Sequence, residues 1–129
     1  MRPAGVGTLR VIYLLLGVLL LSGVSTARAQ GPPPAAAKPT VLAFDRKGCP
    51  FCYQVEVTLK AIQERYPGQF EVRRLYFDEE EPTFRRSHVV IVPTQVFLDP
   101  SGKEVFRHEG LFPQEELLKK LRDLKFIRD

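Results

Sequence analysis

Residues able to do chemistry concentrate at Gly48-Cys49-Pro50-Phe51-Cys52, which holds the only two cysteines of the 129-residue chain. The pair follows the apolar run Val41-Leu42-Ala43-Phe44 and precedes a helical pattern. A thiol at the start of a helix meets unpaired backbone N–H groups and the positive end of the helix dipole. Both favour thiolate over thiol, so Cys49 is expected to be the acidic, nucleophilic sulfur. Cys52 lies about one turn further on, within reach of a mixed disulfide formed on Cys49. The pair therefore reads as a dithiol–disulfide switch, with Cys49 as nucleophile and Cys52 as resolving thiol.

Two other uses of these sulfurs compete. In an oxidising space, paired cysteines are usually structural. A bridge between residues three apart, however, closes a tiny loop and removes little chain entropy. Zinc is the other use, since Cys49, Cys52, His88 and His108 total four possible ligands. Structural zinc sites space their histidines about 3 to 5 apart, and these two are 20 apart in sequence. His88 is expected in a loop and His108 exposed on a strand, with no metal and no cofactor.

The positioning elements begin after an N-terminal leader. Arg2 and Arg10 form a basic start, Val11 to Val24 is almost entirely apolar, and Ala27-Arg28-Ala29 is an A-x-A cleavage site. This pattern is a secretory signal peptide over residues 1–29. Its apolar run falls short of the ~20 residues that span a bilayer. An uncleaved membrane anchor is the alternative. No cysteine lies near the cleavage site to carry a lipid. The chain has 19 basic and 15 acidic residues, a net charge of +4. Removal of Arg2, Arg10 and Arg28 leaves 16 against 15, so the basic balance belongs to targeting. Nucleic-acid binding lacks a basic stripe with interleaved aromatics.

Residues 30–39 are a Pro/Ala-rich linker, with Gly31-Pro32-Pro33-Pro34-Ala35-Ala36-Ala37 favouring extended polyproline II. Residues 40–129 are then one domain with a modest core. Thr40 to Asp45 reads as a strand buried on both faces. A helix follows with Pro50 at its first position. Cys52, Val55, Leu59, Ile62 and Tyr66 form its buried stripe, and Pro67-Gly68 stops it. Phe70 to Phe77 reads as a second, parallel strand in which Arg73-Arg74 spoils the alternation. Asp78 to Glu81 reads as an acidic turn before a short helix from Pro82 to Ser87. The apolar stretch Val89 to Leu98, the turn Asp99-Pro100-Ser101-Gly102 and the strand Lys103 to His108 read as a hairpin. Pro113 to Phe126 reads as a last helix, with Leu117, Leu121 and Leu124 inward. The order β-α-β-α-β-β-α implies an α/β fold, a four-stranded mixed sheet flanked by helices.

A strand ending in C-x-x-C, a β-α-β crossover, Val92-Pro93-Thr94 opening a hairpin, then Gly110 and a terminal helix resemble the thioredoxin superfamily over residues 40 to 127. The resemblance implies the thioredoxin fold, with Cys49 as the nucleophilic and Cys52 as the resolving cysteine. It implies a cis bond before Pro93, which faces the active site, keeps metal away from the thiols and leaves the backbone of Val92 free to pair with a substrate strand. Pro50 and Phe51, between the cysteines, would also meet substrate.

Departures from the family are specific. Cytoplasmic thioredoxins carry Trp-Cys-Gly-Pro-Cys, and this chain has no tryptophan. They carry a buried acid six residues before the first cysteine, which helps deprotonate the resolving thiol; Ala43 holds that position. Asp45 is nearby but expected on the other strand face, as a solvated strand end. Glu56, one turn past Cys52, is expected to be exposed. Glutaredoxins have Pro-Tyr between the cysteines and the strongly oxidising DsbA type has Pro-His, where this chain has Pro50-Phe51. Arg46 and Lys47 either lower the thiol pKa through space or are plain solvated loop charges. No threonine precedes Val92-Pro93 and no Gly-Gly pair follows the hairpin, so the glutathione-site features of glutaredoxins are missing.

The pattern most resembles small periplasmic thioredoxins that act as reductants. It implies a monomeric thiol–disulfide oxidoreductase, periplasmic or secreted. Its partners would be protein thiols and disulfides of the cell envelope and a membrane thiol carrier supplying electrons. The alternatives are a disulfide oxidase or isomerase, or a non-catalytic interaction domain of the same fold.

Overall fold

The computed structural model describes residues 37–129; the leader at 1–29 and residues 30–36 of the linker lie outside the described residues. The described chain forms β1 (Thr40–Asp45), α1 (Pro50–Arg65), β2 (Glu71–Tyr76), α2 (Phe77–Arg86), β3 (Thr94–Leu98), β4 (Glu104–Glu109) and α3 (Gln114–Asp123). The strands form one sheet in the order β2-β1-β3-β4. β1 pairs parallel with β2 and antiparallel with β3, and β3 pairs antiparallel with β4. This is the mixed four-stranded sheet that the order of elements implies, in the arrangement that the resemblance to the thioredoxin superfamily leads one to expect.

Strand alternation divides the interior into two layers. Val41 and Ala43 of β1 and Phe97 of β3 face Val55, Leu59 and Ile62 of α1 and Leu117, Leu118 and Leu121 of α3. Phe44 of β1, Leu75 of β2 and Val96 of β3 face Phe84 of α2 and Val89 on the other side. Burial of each such side chain contributes about 1.5–3 kcal/mol. Phe97 is fully buried and packs against the rings of Phe106, Phe112 and Phe126. The stripe read from the sequence of α1 is buried throughout, from Cys52 to Tyr66.

Three elements have bounds that differ from the sequence reading by more than one residue. The acids Asp78 to Glu81 are not a separate turn: they lie in the first part of α2, where carboxylates suit the helix dipole. The helix kinks at Glu80, two residues before Pro82, which cannot donate a helical hydrogen bond. Val89 to Pro93 is not strand, because the ladder of β3 begins at Thr94, after the proline that lacks an N–H. α3 ends at Asp123, and Lys125 beyond it takes a left-handed φ of 60°.

Candidate active site

β1 delivers the cysteine loop. It ends at Asp45, and Gly48 then turns the chain with a φ of +74°, a conformation open to glycine. Cys49 caps α1: its backbone is extended, and Pro50 takes the first helical position, where a missing N–H costs nothing. The Cys52 amide donates to Cys49 Sγ at 3.1 Å, so the sulfur occupies the place of an ordinary capping oxygen. Cys49 and Cys52 are joined as a disulfide, with Cα atoms 5.3 Å apart. Cys52 is 1% exposed, as part of the buried stripe of α1, whereas Cys49 is half-buried.

Both cysteines line a hollow of about 560 Å³ with Arg46, Lys47, Pro50, Tyr53, Glu56, Arg74 and Tyr76. A smaller groove lies between Phe77, Phe84 and the Val89–Val92 loop, and Arg46 lines it too. The Val92–Pro93 bond is cis. Pro93 is buried at the head of β3, at the sheet end where β1 passes into the cysteine loop. Its carbonyl accepts from the Gly110 amide at 2.7 Å, and Thr94 Oγ1 donates to the Ile91 carbonyl at 2.7 Å. Val92 is half-buried, and among the described residues its backbone bonds no other backbone group. Phe51 projects from the first turn of α1, 60% exposed. Cys49, Pro50 and Cys52 thus share one hollow, while Val92 lines the neighbouring groove.

Three side chains, Asp45, Glu56 and His108, sit differently from the sequence reading. Asp45 is not a solvated strand end: it is 1% exposed. Residues two apart on a strand share a face, so Asp45 lies with Ala43 on the α1 side. Arg74 donates to Asp45 Oδ2 at 2.9 Å through Nε and also pairs with Glu56. Glu56 is accordingly half-buried rather than free in solvent. His108 is half-buried too, stacked on Phe112 with centroids 3.9 Å apart and Nε2 3.1 Å from the Leu111 carbonyl. His88 is an exposed loop residue at a φ of 55°. Among the described residues, no group of three or more His, Cys, Asp or Glu side chains is placed to hold a metal ion.

Electrostatics around the pair follow from those contacts. Burial raises the Asp45 carboxyl above its ordinary value, and the Arg74 hydrogen bond opposes the rise. For Arg74, burial works against the charge, but hydrogen bonds to Asp45 and Glu56 outweigh it and the guanidinium is held up. Its Cζ also lies over the Tyr76 ring, 5.0 Å from the centroid. Lys47 is drawn away to Glu79 Oε1 at 2.5 Å, while Arg46 forms no ion pair among the described residues. Of the two cations before the motif, only Arg46 is therefore left to favour a thiolate at Cys49. Arg74 is the site residue that sequence reading missed. Its only signal is a charge at an inward position of β2, opposite Ala43.

No curated protein matches this chain in sequence. A thioredoxin-like protein from Clostridium perfringens is similar in structure, with a TM-score of 0.64 and 24% identity, covering 83% of this chain and 92% of that one. Thioredoxin-2, a component of the malaria parasite protein secretion machinery, aligns with a TM-score of 0.63 and 20% identity over 67% of this chain and 82% of its own. The thioredoxin of Fasciola hepatica aligns with a TM-score of 0.60 and 24% identity over 67% and 81%. At these identities the likeness is one of fold. A family model extends it to sequence: the thioredoxin-like domain matches residues 33–125, and the chain belongs to that family, within the thioredoxin superfamily.

Proposed function

We propose that this protein is an exported thiol–disulfide oxidoreductase that reduces protein disulfides through Cys49 and Cys52. The observation that carries this reading is the asymmetry of the pair. Cys49 is the more exposed sulfur and accepts a backbone N–H at the head of α1, whereas Cys52 is buried one turn behind it. In the reduced protein that amide and the helix dipole stabilise a Cys49 thiolate. The thiolate attacks one sulfur of a substrate disulfide; the substrate S–S bond breaks and the released thiolate takes a proton from water. Cys52, as thiolate, then attacks Cys49 Sγ, which expels the second substrate thiolate and closes the Cys49–Cys52 bond. Two electrons pass to the substrate, and a membrane dithiol carrier restores them. Val92, with its backbone unengaged, and the exposed Phe51 are the groups we assign to substrate binding, with Pro50 and Pro93 beside them.

The direction of exchange is tested by the reduction potential. Phe51 supplies no imidazole to the thiolate, so the pair should be less oxidising than the DsbA type at about −120 mV. Proline after Cys49 and the unpaired Arg46 make it more oxidising than thioredoxin at about −270 mV. The expected value is roughly −160 to −250 mV, and Phe51→His should raise it by tens of millivolts, about 30 mV being 1.4 kcal/mol for two electrons. Equilibration of both proteins with a glutathione buffer measures this. A wild-type value near the DsbA type would make the protein an oxidase instead.

Export is the second half of the reading, and the leader supports it. Expressed with its full sequence in a Gram-negative bacterium, the protein should appear in the periplasm with Gln30 as its first residue. Intact mass and N-terminal sequencing check this, and retention of Met1 on a membrane-bound protein would favour the uncleaved anchor.

A further inference from the structure

The proposed cycle requires Cys52 to lose a proton before it attacks Cys49, yet Cys52 is 1% exposed. Position 43, where the cytoplasmic thioredoxins that the chain resembles carry a buried acid, is an alanine. The groups that face the hollow holding both sulfurs are Arg46 and Lys47 from the loop, Tyr53 and Glu56 from α1, and Arg74 and Tyr76 from β2. Only one of these is a carboxylate. Glu56 is four residues after Cys52, so the two side chains lie on one face of α1, about 5–6 Å apart at Cβ. Its carboxylate is not free to wander: Arg74 grips it from across the hollow. Arg74 is in turn anchored by Asp45, whose Oδ2 accepts at 2.9 Å and whose Oδ1 has no hydrogen-bond partner among the described residues. Holding a carboxylate in a buried strand position behind an arginine is costly, and packing alone gives no reason for it.

We propose that Glu56 is the proton acceptor for Cys52, and that Arg74 and Asp45 are positioning residues that hold its carboxylate beside the buried thiol. This rests on the dithiol cycle above. In the mixed-disulfide state the Cys52 S–H proton passes to a Glu56 oxygen. The Cys52 thiolate attacks Cys49 Sγ, the bond from Cys49 to the substrate sulfur breaks, and the leaving thiolate takes the proton held by Glu56, directly or relayed through water. The carboxylate is then regenerated, and the protons and the two electrons balance. In the reverse direction Glu56 returns the proton to Cys52 as the disulfide opens.

The reduced protein mixed with dithiobis-nitrobenzoate tests this without any natural substrate. One coloured thiolate leaves when Cys49 attacks the reagent, and a second leaves when Cys52 closes the disulfide. In Glu56→Gln the second phase should slow by about 100-fold near neutral pH, a typical share for a positioned base. The deficit should shrink as pH rises and hydroxide replaces the carboxylate, while the first phase stays at the wild-type rate. Glu56→Asp should recover part of the loss, and Arg74→Lys, which keeps the charge without the two-pronged grip, should fall between. A second phase within twofold of wild type in Glu56→Gln, a deficit independent of pH, or equal slowing of both phases would overturn the assignment. Failure of the wild-type protein to reduce a protein disulfide such as insulin would sink the functional reading alone, because the two phases report on the sulfurs directly.

Discussion

Cys49→Ser should abolish disulfide exchange, lowering turnover by about a thousandfold or more, whereas Cys52→Ser should complete one attack and stop. The difference follows from the two environments. Only the sulfur at position 49 has both an approach from solvent and a backbone N–H directed at it. A serine hydroxyl there stays protonated at neutral pH and does not attack a disulfide. At position 52, serine removes the resolving nucleophile but leaves the first step intact, so a mixed disulfide with substrate accumulates on Cys49. Non-reducing gels and intact mass after exposure to an oxidised protein distinguish the two. If Cys49→Ser accumulated the adduct and Cys52→Ser did not, the roles of the pair would be exchanged.

Removing Arg74 should cost roughly 3–5 kcal/mol of stability near neutral pH, because it leaves the Asp45 carboxylate buried without its counter-charge. Arg74→Met keeps much of the volume, so the loss reports on charge. The sign with pH is fixed by Asp45. Its folded-state pKa lies above the ordinary 3.8 because burial penalises the ionised form. A raised carboxyl contributes stability that is present below the unfolded value and lost as pH rises through the folded value. Without Arg74 the opposing hydrogen bond is gone, so that window widens upward. The variant should regain stability on acidification from about pH 7 toward pH 5, and Asp45→Leu added to Arg74→Met should restore most of the loss at neutral pH. Urea unfolding at the two pH values checks both statements. A penalty that does not change with pH would mean that Arg74 acts through packing.

Much of this arrangement can be read from the chain, and the reasons are local. The stripe from Cys52 to Tyr66 has the spacing of one helix face, and a buried face is the only stable use for it. The loop before α1 carries its own instructions in Gly48, Cys49 and Pro50. What escapes is whatever depends on register between distant segments. Asp45, Glu56 and Arg74 each look solvated when taken singly. They become a partly buried network around the fully buried Asp45 because β1 and β2 align Ala43 with Arg74, which brings the guanidinium between strand and helix. Asp78 to Glu81 misleads for another reason: the same acids that suit a turn also suit the first turn of a helix, and the sheet-facing Phe84 decides in favour of α2.

The strand order has a consequence for self-association. Among the described residues β2 and β4 are the outer strands, and outer strands offer unpaired N–H and C=O groups to any passing chain. On the function proposed above, the protein would meet such chains constantly. Both edges carry charge: Glu71 and Arg73 are exposed on β2, and Glu104 and Glu109 on β4. A register shift between Phe97 and Leu98 further interrupts the ladder beneath β4. Another strand adding to either edge would have to bring matching charges, and one adding at β4 would also have to follow the interrupted ladder. The edges thus resist growth into a larger sheet, which on the proposed function leaves the end of the molecule that carries the sulfurs for contact with substrate.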